Sequence, residues 1–80
     1  MQVRVKLYAS LRRYRPELRL GEAFGCELPD GATIGDLVLD VLKVPDQEVA
    51  ITLVNGLHQV REYPLTEGDS VSIWPPIAGG

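Results

Sequence analysis

A single amphipathic segment stands near the middle of this 80-residue chain, with short alternating stretches on both sides of it. Thr33 followed by Asp36 fits the capping pattern of a helix start, in which the threonine oxygen accepts a backbone hydrogen bond. Apolar residues then recur at helical spacing and form one face: Ile34, Leu37, Val38, Val41 and Leu42. Pro45 requires the helix to end before it. A chain this short has room for one small core, so this helix is expected to pack on the sheet that the flanking stretches form.

The flanking stretches predict strands. The first strand carries Val3, Val5 and Leu7 on its buried face and Tyr8 on its exposed side, because side chains alternate along a strand. Further strands are predicted over residues 22–28, 49–54, 57–60 and 71–74, separated by the turn signals Pro29-Asp30-Gly31, Asn55-Gly56 and Glu67-Gly68-Asp69. In the last strand Ile73 faces inward and Trp74 faces outward.

One helical turn is expected between the first two strands, from Ser10 to Arg15, with Leu11 and Tyr14 directed inward and Pro16 preventing its continuation. The predicted order is therefore strand, strand, helix, strand, short strand, strand. A right-handed crossover through the helix would place the first and last strands side by side in the centre of a mixed sheet. The predicted fold class is α+β, with the β-grasp or ubiquitin-like arrangement of one main helix packed on one face of the sheet.

Composition excludes several classes of function. A net charge of −3 argues against nucleic acid as a partner, because binding it requires a basic face. No run approaches the ~20 apolar residues of a membrane span, so no membrane partner is expected. The single cysteine, Cys26, cannot form an internal disulfide, and a cytoplasmic location is the natural expectation.

The chain offers little material for a catalytic centre of its own. His58 is the only histidine, and no candidate ligands show a recognised metal spacing, so no metal is expected. Cys26 lies on the apolar face of its predicted strand, where a thiol is usually an inert small hydrophobe. The helix start lacks the glycine spacing and the lysine of a phosphate-binding loop. No bound cofactor is expected, and the protein is not expected to be catalytic alone.

The last six residues have the most distinctive composition. Pro75 and Pro76 stiffen the chain as it leaves the last strand, and Ile77 and Ala78 follow. Gly79 and Gly80 have no Cβ, so they could enter a channel that is too narrow for other residues. At about 3.1 Å per residue, such a tail reaches roughly 15–20 Å beyond the fold. We therefore divide the chain into a domain over residues 1–74 and an extended tail over residues 75–80.

The closing sequence from Ile73 to Gly80, with residues 65–71 before it, resembles the small subunit of molybdopterin synthase, in the MoaD branch of the MoaD and ThiS ubiquitin-like sulfur carriers. The opening residues 5–9 and the capped helix agree with this resemblance, which covers essentially the whole chain. The family often has phenylalanine before the two prolines, where this chain has Trp74. In that family the terminal glycine, here Gly80, is adenylated and then converted to a thiocarboxylate that donates sulfur to the dithiolene of molybdopterin.

The resemblance implies three partners: a ubiquitin-activating-like adenylyltransferase that consumes ATP, a sulfur donor acting through it, and the large subunit of the synthase. Two alternatives keep the same terminal chemistry. One is a carrier for thiamine thiazole or another biosynthetic sulfur transfer, and the other is a protein modifier attached to target lysines. A third alternative lacks that chemistry: a β-grasp binding module in which the two terminal glycines have no function.

Alternation along the strands also predicts a docking face at the base of the tail. Tyr8 and Trp74 fall on the exposed side of neighbouring strands, with Ile77 beyond them and His58 at the rim. In the sulfur carriers this face meets both the activating enzyme and the large subunit. The alternative is that Trp74 folds back beneath the segment from Ser10 to Arg15 and is covered by it.

Overall fold

In the computed structural model, which describes residues 1–77, five strands form one mixed sheet. The strands are β1 (Gln2–Leu7), β2 (Phe24–Glu27), β3 (Ile51–Val54), β4 (Leu57–His58) and β5 (Ser70–Trp74). Their order across the sheet is β2-β1-β5-β3-β4. The first and last strands are parallel neighbours in the centre, while the other pairs are antiparallel. The predicted β-grasp arrangement is confirmed.

The helix begins as predicted but widens after its first turn. Thr33 and Asp36 form a reciprocal capping box, in which each side chain accepts a hydrogen bond from the other residue's backbone N–H. The α-helix α1 (Ile34–Asp36) then continues as a π-helix over Leu37–Val41, where a regular α-helix was expected. The Leu42 N–H donates to the Leu37 carbonyl over 2.9 Å, five residues back.

This widening changes which residues reach the core. Each π turn takes up more residues than an α turn, so later side chains rotate relative to the 3.6-residue pattern. Val41, predicted on the buried face, is only half-buried, whereas Leu42 and Val44 are fully covered. Lys43 between them has φ 60°, a left-handed conformation that ends the helix without glycine.

Two 3₁₀ helices complete the secondary structure of the described residues. The first, Ala9–Tyr14, matches the predicted helical turn: Leu11 is fully buried and Tyr14 packs partly against the core. The second, Asp46–Glu48, was not predicted, and it connects the helix to β3. Because it is short and lacks a hydrophobic period, nothing in the sequence pattern distinguishes it from a loop.

The hairpin between β3 and β4 follows its sequence signal. Asn55 and Gly56 have φ of 52° and 87°, as a two-residue turn with positive φ at both positions requires. Three of the strands are shorter than predicted, whereas β5 begins one residue earlier, at Ser70. β2 begins at Phe24 instead of residue 22, β3 begins at Ile51 instead of residue 49, and β4 ends at His58 instead of residue 60.

Candidate functional site

The two predicted aromatic residues meet on the outer face of the sheet, at the end of the central strands. The rings of Tyr8 and Trp74 stack with centroids 4.3 Å apart and planes inclined by 6°. The Tyr8 N–H donates to the Ile73 carbonyl over 3.1 Å, so Tyr8 extends the parallel ladder by one position and comes opposite Trp74. Both side chains are half-buried. We call this pair the aromatic stack.

The structure decides between the two predicted positions of Trp74. Its ring stacks on Tyr8 on the outer face, while Leu11 of the neighbouring 3₁₀ helix is buried in the core on the inner face. Trp74 is therefore not folded beneath the segment from Ser10 to Arg15. A stacked pair covers one face of each ring, which reduces the cost of leaving aromatic surface next to water.

Two aliphatic residues extend this apolar surface across β3, and the sequence reasoning missed them. Ile51 lies opposite Trp74 in the ladder and is 41% exposed. Leu53, two residues further along, is half-buried on the same face. Their alternation with the buried Thr52 and Val54 was the available signal, but an apolar run over residues 49–54 does not by itself say which members face out.

His58 lies at the far edge of the same face. It is exposed on β4 and pairs with Leu53, whose other neighbour is Ser72. Two strand spacings separate it from β5, or about 10 Å, so it borders the apolar surface and does not contact the aromatic stack.

The first part of the tail, residues 75–77, follows Trp74 of the aromatic stack directly, and we call it the stem. Pro75 is half-buried, Pro76 is exposed and Ile77 is 83% exposed. Ala78, Gly79 and Gly80, which include the predicted reactive residue, lie outside the described residues. The backbone on the β3 side is fixed where the stem begins, because the Ala50 N–H donates to the Trp74 carbonyl over 2.9 Å.

A polar clasp joins the two 3₁₀ helices on either side of this exit. The Tyr14 hydroxyl donates to the Glu48 carboxylate over 2.8 Å, and the Arg13 guanidinium pairs with the same carboxylate. The hydrogen bond to Glu48, followed by desolvation and the carboxylate charge, raises the pKa of Tyr14 above its ordinary value. The first helix continues from Tyr8 and the second precedes Ala50, so the clasp links the segments that flank the end of β5.

Cys26 has the surroundings of a core residue. It is 7% exposed on the inner face of β2, and burial raises the pKa of its thiol, with Arg15 partly opposing that shift. A thiol held protonated in this way is a poor nucleophile. Within residues 1–77, no three side chains of metal-binding type come together in a position to hold an ion. Over the same range, no helix has the length and apolar character needed to cross a membrane.

Solved structures with the same fold come from archaea and a bacterium. A Pyrococcus furiosus protein assigned as molybdopterin converting factor subunit 1 is 27% identical, with a TM-score of 0.71 over 95% of this chain and 98% of its own. Small archaeal modifier protein 1 of Haloferax volcanii is 21% identical, with a TM-score of 0.72 over 95% of this chain and 98% of its own.

A third structure, of subunits 1 and 2 of the molybdopterin-converting factor of Helicobacter pylori in complex, contains a chain that is 20% identical, with a TM-score of 0.60 and full coverage of both chains. At these lower identities the likeness concerns the fold alone. No curated protein matches the sequence.

The sequence model of the family described as Mut7-C ubiquitin matches residues 1–78, which is nearly the whole chain. The resemblance to MoaD-type proteins drawn from the sequence is thereby confirmed at the level of family and fold. One ubiquitin-like domain contains the β-grasp sheet, the aromatic stack and the exposed start of the tail. The chain is a member of the Mut7-C ubiquitin family.

Proposed function

We propose that this protein is a sulfur carrier that acts as the small subunit of a molybdopterin synthase, with Gly80 as the residue that carries the sulfur. The observation that carries the proposal is the aromatic stack at the root of an exposed stem, on the central strand of the sheet. The likeness to the P. furiosus protein supports it, since that protein is assigned as subunit 1 of a molybdopterin converting factor.

The chemistry assigned to Gly80 requires activation by a partner. A free carboxylate resists attack, because its carbonyl is electron-rich and it has no good leaving group. When the carboxylate attacks the α-phosphorus of ATP, pyrophosphate leaves and an acyl-adenylate forms. A sulfur donor then displaces AMP, so that Gly80 ends in a thiocarboxylate whose soft sulfur is a nucleophile. The adenylyltransferase supplies the ATP site, and this chain supplies the substrate carboxylate.

The surroundings of the stem support this role, because they combine an apolar surface with a backbone held by hydrogen bonding. The aromatic stack and Ile51 give a partner an apolar anchor next to Pro75, and the hydrogen bond from Ala50 holds the backbone where the stem begins. An anchored and stiffened stem has little freedom left to lose when the tip enters a partner's active site, which favours productive binding. In this proposal Pro75, Pro76, Ile77, Ala78 and Gly79 thread the partner's site.

The partners in this proposal are the adenylyltransferase, the sulfur donor that acts through it, and the large synthase subunit. The H. pylori complex of subunits 1 and 2 provides support for the last of these, because a chain of this fold forms an assembly with a second subunit there. The aromatic stack, with His58 at the rim, is the surface we assign to both protein partners.

Intact-mass measurement tests the proposal. The purified protein is incubated with ATP, the adenylyltransferase and a sulfur donor, and its mass is followed. We expect a gain equal to the replacement of one oxygen by sulfur. A ladder of conjugates on other proteins would instead support a protein modifier, and an unchanged mass would support a binding module.

Deletion of Gly80 provides the matched control, because the last core residue found within residues 1–77 is Ile73. We expect the truncated protein to keep its thermal midpoint and to form no thiocarboxylate. Gly79→Val keeps the terminal carboxylate but adds a β-branched side chain, and we expect it to load poorly. Sulfur loading that survives the deletion of Gly80 would contradict the mechanism.

A further inference from the structure

A basic depression lies on the outer face of the sheet, next to the aromatic stack. Its lining residues are Arg4, Lys6, Ala23, Ser70, Val71 and Ser72. Across the ladder, Arg4 lies between Gly25 and Ser70, and Lys6 lies beside Ser72. The residues next to Arg4 and Lys6 in the ladder are glycine and serine, which have short side chains. Both cationic side chains are exposed.

The charges of this depression are not neutralised within the part of the chain that the structure describes. The ion pairs found over residues 1–77 involve the Met1 amine, Arg13 and Arg61, and none involves Arg4 or Lys6. The outward positions of β1, β3 and β5 carry no acidic side chain: Gln2, Arg4, Lys6, Ile51, Leu53, Ser70, Ser72 and Trp74. On the edge strand β2, Glu27 also faces outward, opposite Gln2, where it accepts a hydrogen bond from the Gln2 side chain and pairs with the Met1 amine. The centre of this face is therefore positive and apolar, although the chain has a net charge of −3.

The depression is close enough to the aromatic stack to belong to the same interface. Lys6 and Arg4 precede Tyr8 by two and four residues on one face of the chain, or about 7 and 13 Å at 3.3 Å per residue. A standard interface covers about 800 Å² per partner, which corresponds to a radius of roughly 16 Å. A protein centred on the stack would therefore cover both cations.

We propose that this depression receives the carboxylate of an aspartate or glutamate on the protein that engages the tail. The proposal rests on the proposed function and specifies the chemistry of the partner's surface: an apolar patch for the aromatic stack, with an acidic residue beside it. Arg4 offers a planar fork that matches a carboxylate, Lys6 adds a point charge, and the Ser70 and Ser72 hydroxyls can donate. The chain's negative net charge disfavours nucleic acid as the occupant.

Charge reversal tests this inference with the purified large subunit and the adenylyltransferase as partners. We expect the double variant Arg4→Glu/Lys6→Glu to associate about tenfold more slowly than the parent or worse at low salt, because the complementary charges no longer steer encounter. The difference should shrink when the salt concentration rises from about 20 mM to about 500 mM. Circular dichroism checks that the variant, whose substitutions lie at exposed positions, is folded.

A matched control carries the same change of charge elsewhere. Arg19 and Lys43 are exposed and lie outside the strands, so Arg19→Glu/Lys43→Glu should keep the parent association rate within about twofold. Trp74→Ala separates the contribution of apolar contact from the contribution of charge. It should speed dissociation while leaving the salt dependence of the association rate unchanged. Equal slowing by both charge-reversal variants would overturn the inference, because it would reflect net charge alone.

A second measurement does not depend on the proposed function. A synthetic peptide of alternating leucine and aspartate is titrated into the isotope-labelled protein, beside the same peptide with asparagine. We expect the backbone amide signals of Lys6, Ser70 and Ser72 to shift with the acidic peptide only. Equal shifts with both peptides, or stronger shifts with a single-stranded oligonucleotide, would overturn the inference. Failure of sulfur loading with these acidic-peptide shifts intact would instead count against the proposed function.

Discussion

The two faces of the sheet differ in what they are made of and in what covers them. On the inner face, β1 and β5 contribute Val3, Val5, Val71 and Ile73, each at most 1% exposed beneath the helical layer. On the outer face the same two strands contribute cations, hydroxyls and the half-covered aromatic stack. The inner face is aliphatic and closed, and the outer face is chemically mixed and open.

This difference separates stability from recognition along the same strands. Burial of apolar side chains stabilises the folded state by roughly 25 cal/mol for each Å² of apolar surface removed from water. The inner face therefore provides most of the driving force for folding. Residues on the outer face remain near water and stay free to meet a partner. Substitutions on the two faces should therefore move different measurements.

Leu37→Ala should give the largest effect on stability. Leu37 is fully buried in the π-helical segment, so its truncation leaves a cavity and should cost about 2–5 kcal/mol of unfolding free energy. Leu39→Ala is the control on the same segment, since Leu39 is 49% exposed and should cost much less. Chemical denaturation measures both, and equal losses would show that the inner layer is not the stabilising one.

Trp74→Ala should give the largest effect on binding. We expect affinity for the large subunit to fall by about 2 kcal/mol or more, because an aromatic anchor at the centre of an interface is lost, and Tyr8→Ala should cost somewhat less. Both variants should remain folded. Titration calorimetry decides the matter, and parent-like affinity for both would show that the docking surface lies elsewhere.

Cys26→Ala should affect stability slightly and sulfur transfer not at all. The small cavity beneath β2 should cost about 1 kcal/mol, since little volume is removed from a 7% exposed site. Intact mass after loading should show the same thiocarboxylate as the parent. Loss of loading in a folded Cys26→Ala protein would place the sulfur on this thiol and overturn the role of Gly80.

Tyr14→Phe should have the smallest effect, visible in the pH dependence of stability. The hydrogen bond to Glu48 raises the pKa of Tyr14 in the folded state above the ordinary tyrosine value of about 10, so folding favours the neutral phenol. The stabilisation is therefore fully present below about pH 10 and is lost as the pH rises through the folded-state pKa. Thermal midpoints measured across this range should fall less steeply in Tyr14→Phe than in the parent.

Tyr63→Phe serves as its control, because no hydrogen bond of the Tyr63 hydroxyl is found within residues 1–77. The two variants lose the same hydroxyl group, so a difference between their pH dependences reports the clasp. If Tyr14→Phe retains the slope of the parent, the clasp between Tyr14 and Glu48 does not form in solution.

The order and pairing of the strands could be predicted from local signals in the sequence, because those signals agreed with one another. Alternation defined the inner residues of β1 and β5, Thr33 and Asp36 marked the helix start, and Asn55-Gly56 fixed the hairpin. It also placed Tyr8 and Trp74 on one face, because side chains alternate in a strand and the crossover makes the two strands neighbours.

The contacts between distant segments could not be predicted from the sequence and are seen only in the folded chain. The clasp joins Tyr14 to Glu48 across 34 positions, and the basic depression combines Arg4 and Lys6 with the serines of β5 through strand register. The π-helical turn was likewise not indicated by the helical spacing, and Val41 within it is only half-buried. Periodicity reports the environment of one segment at a time, whereas these features depend on the packing of several segments at once.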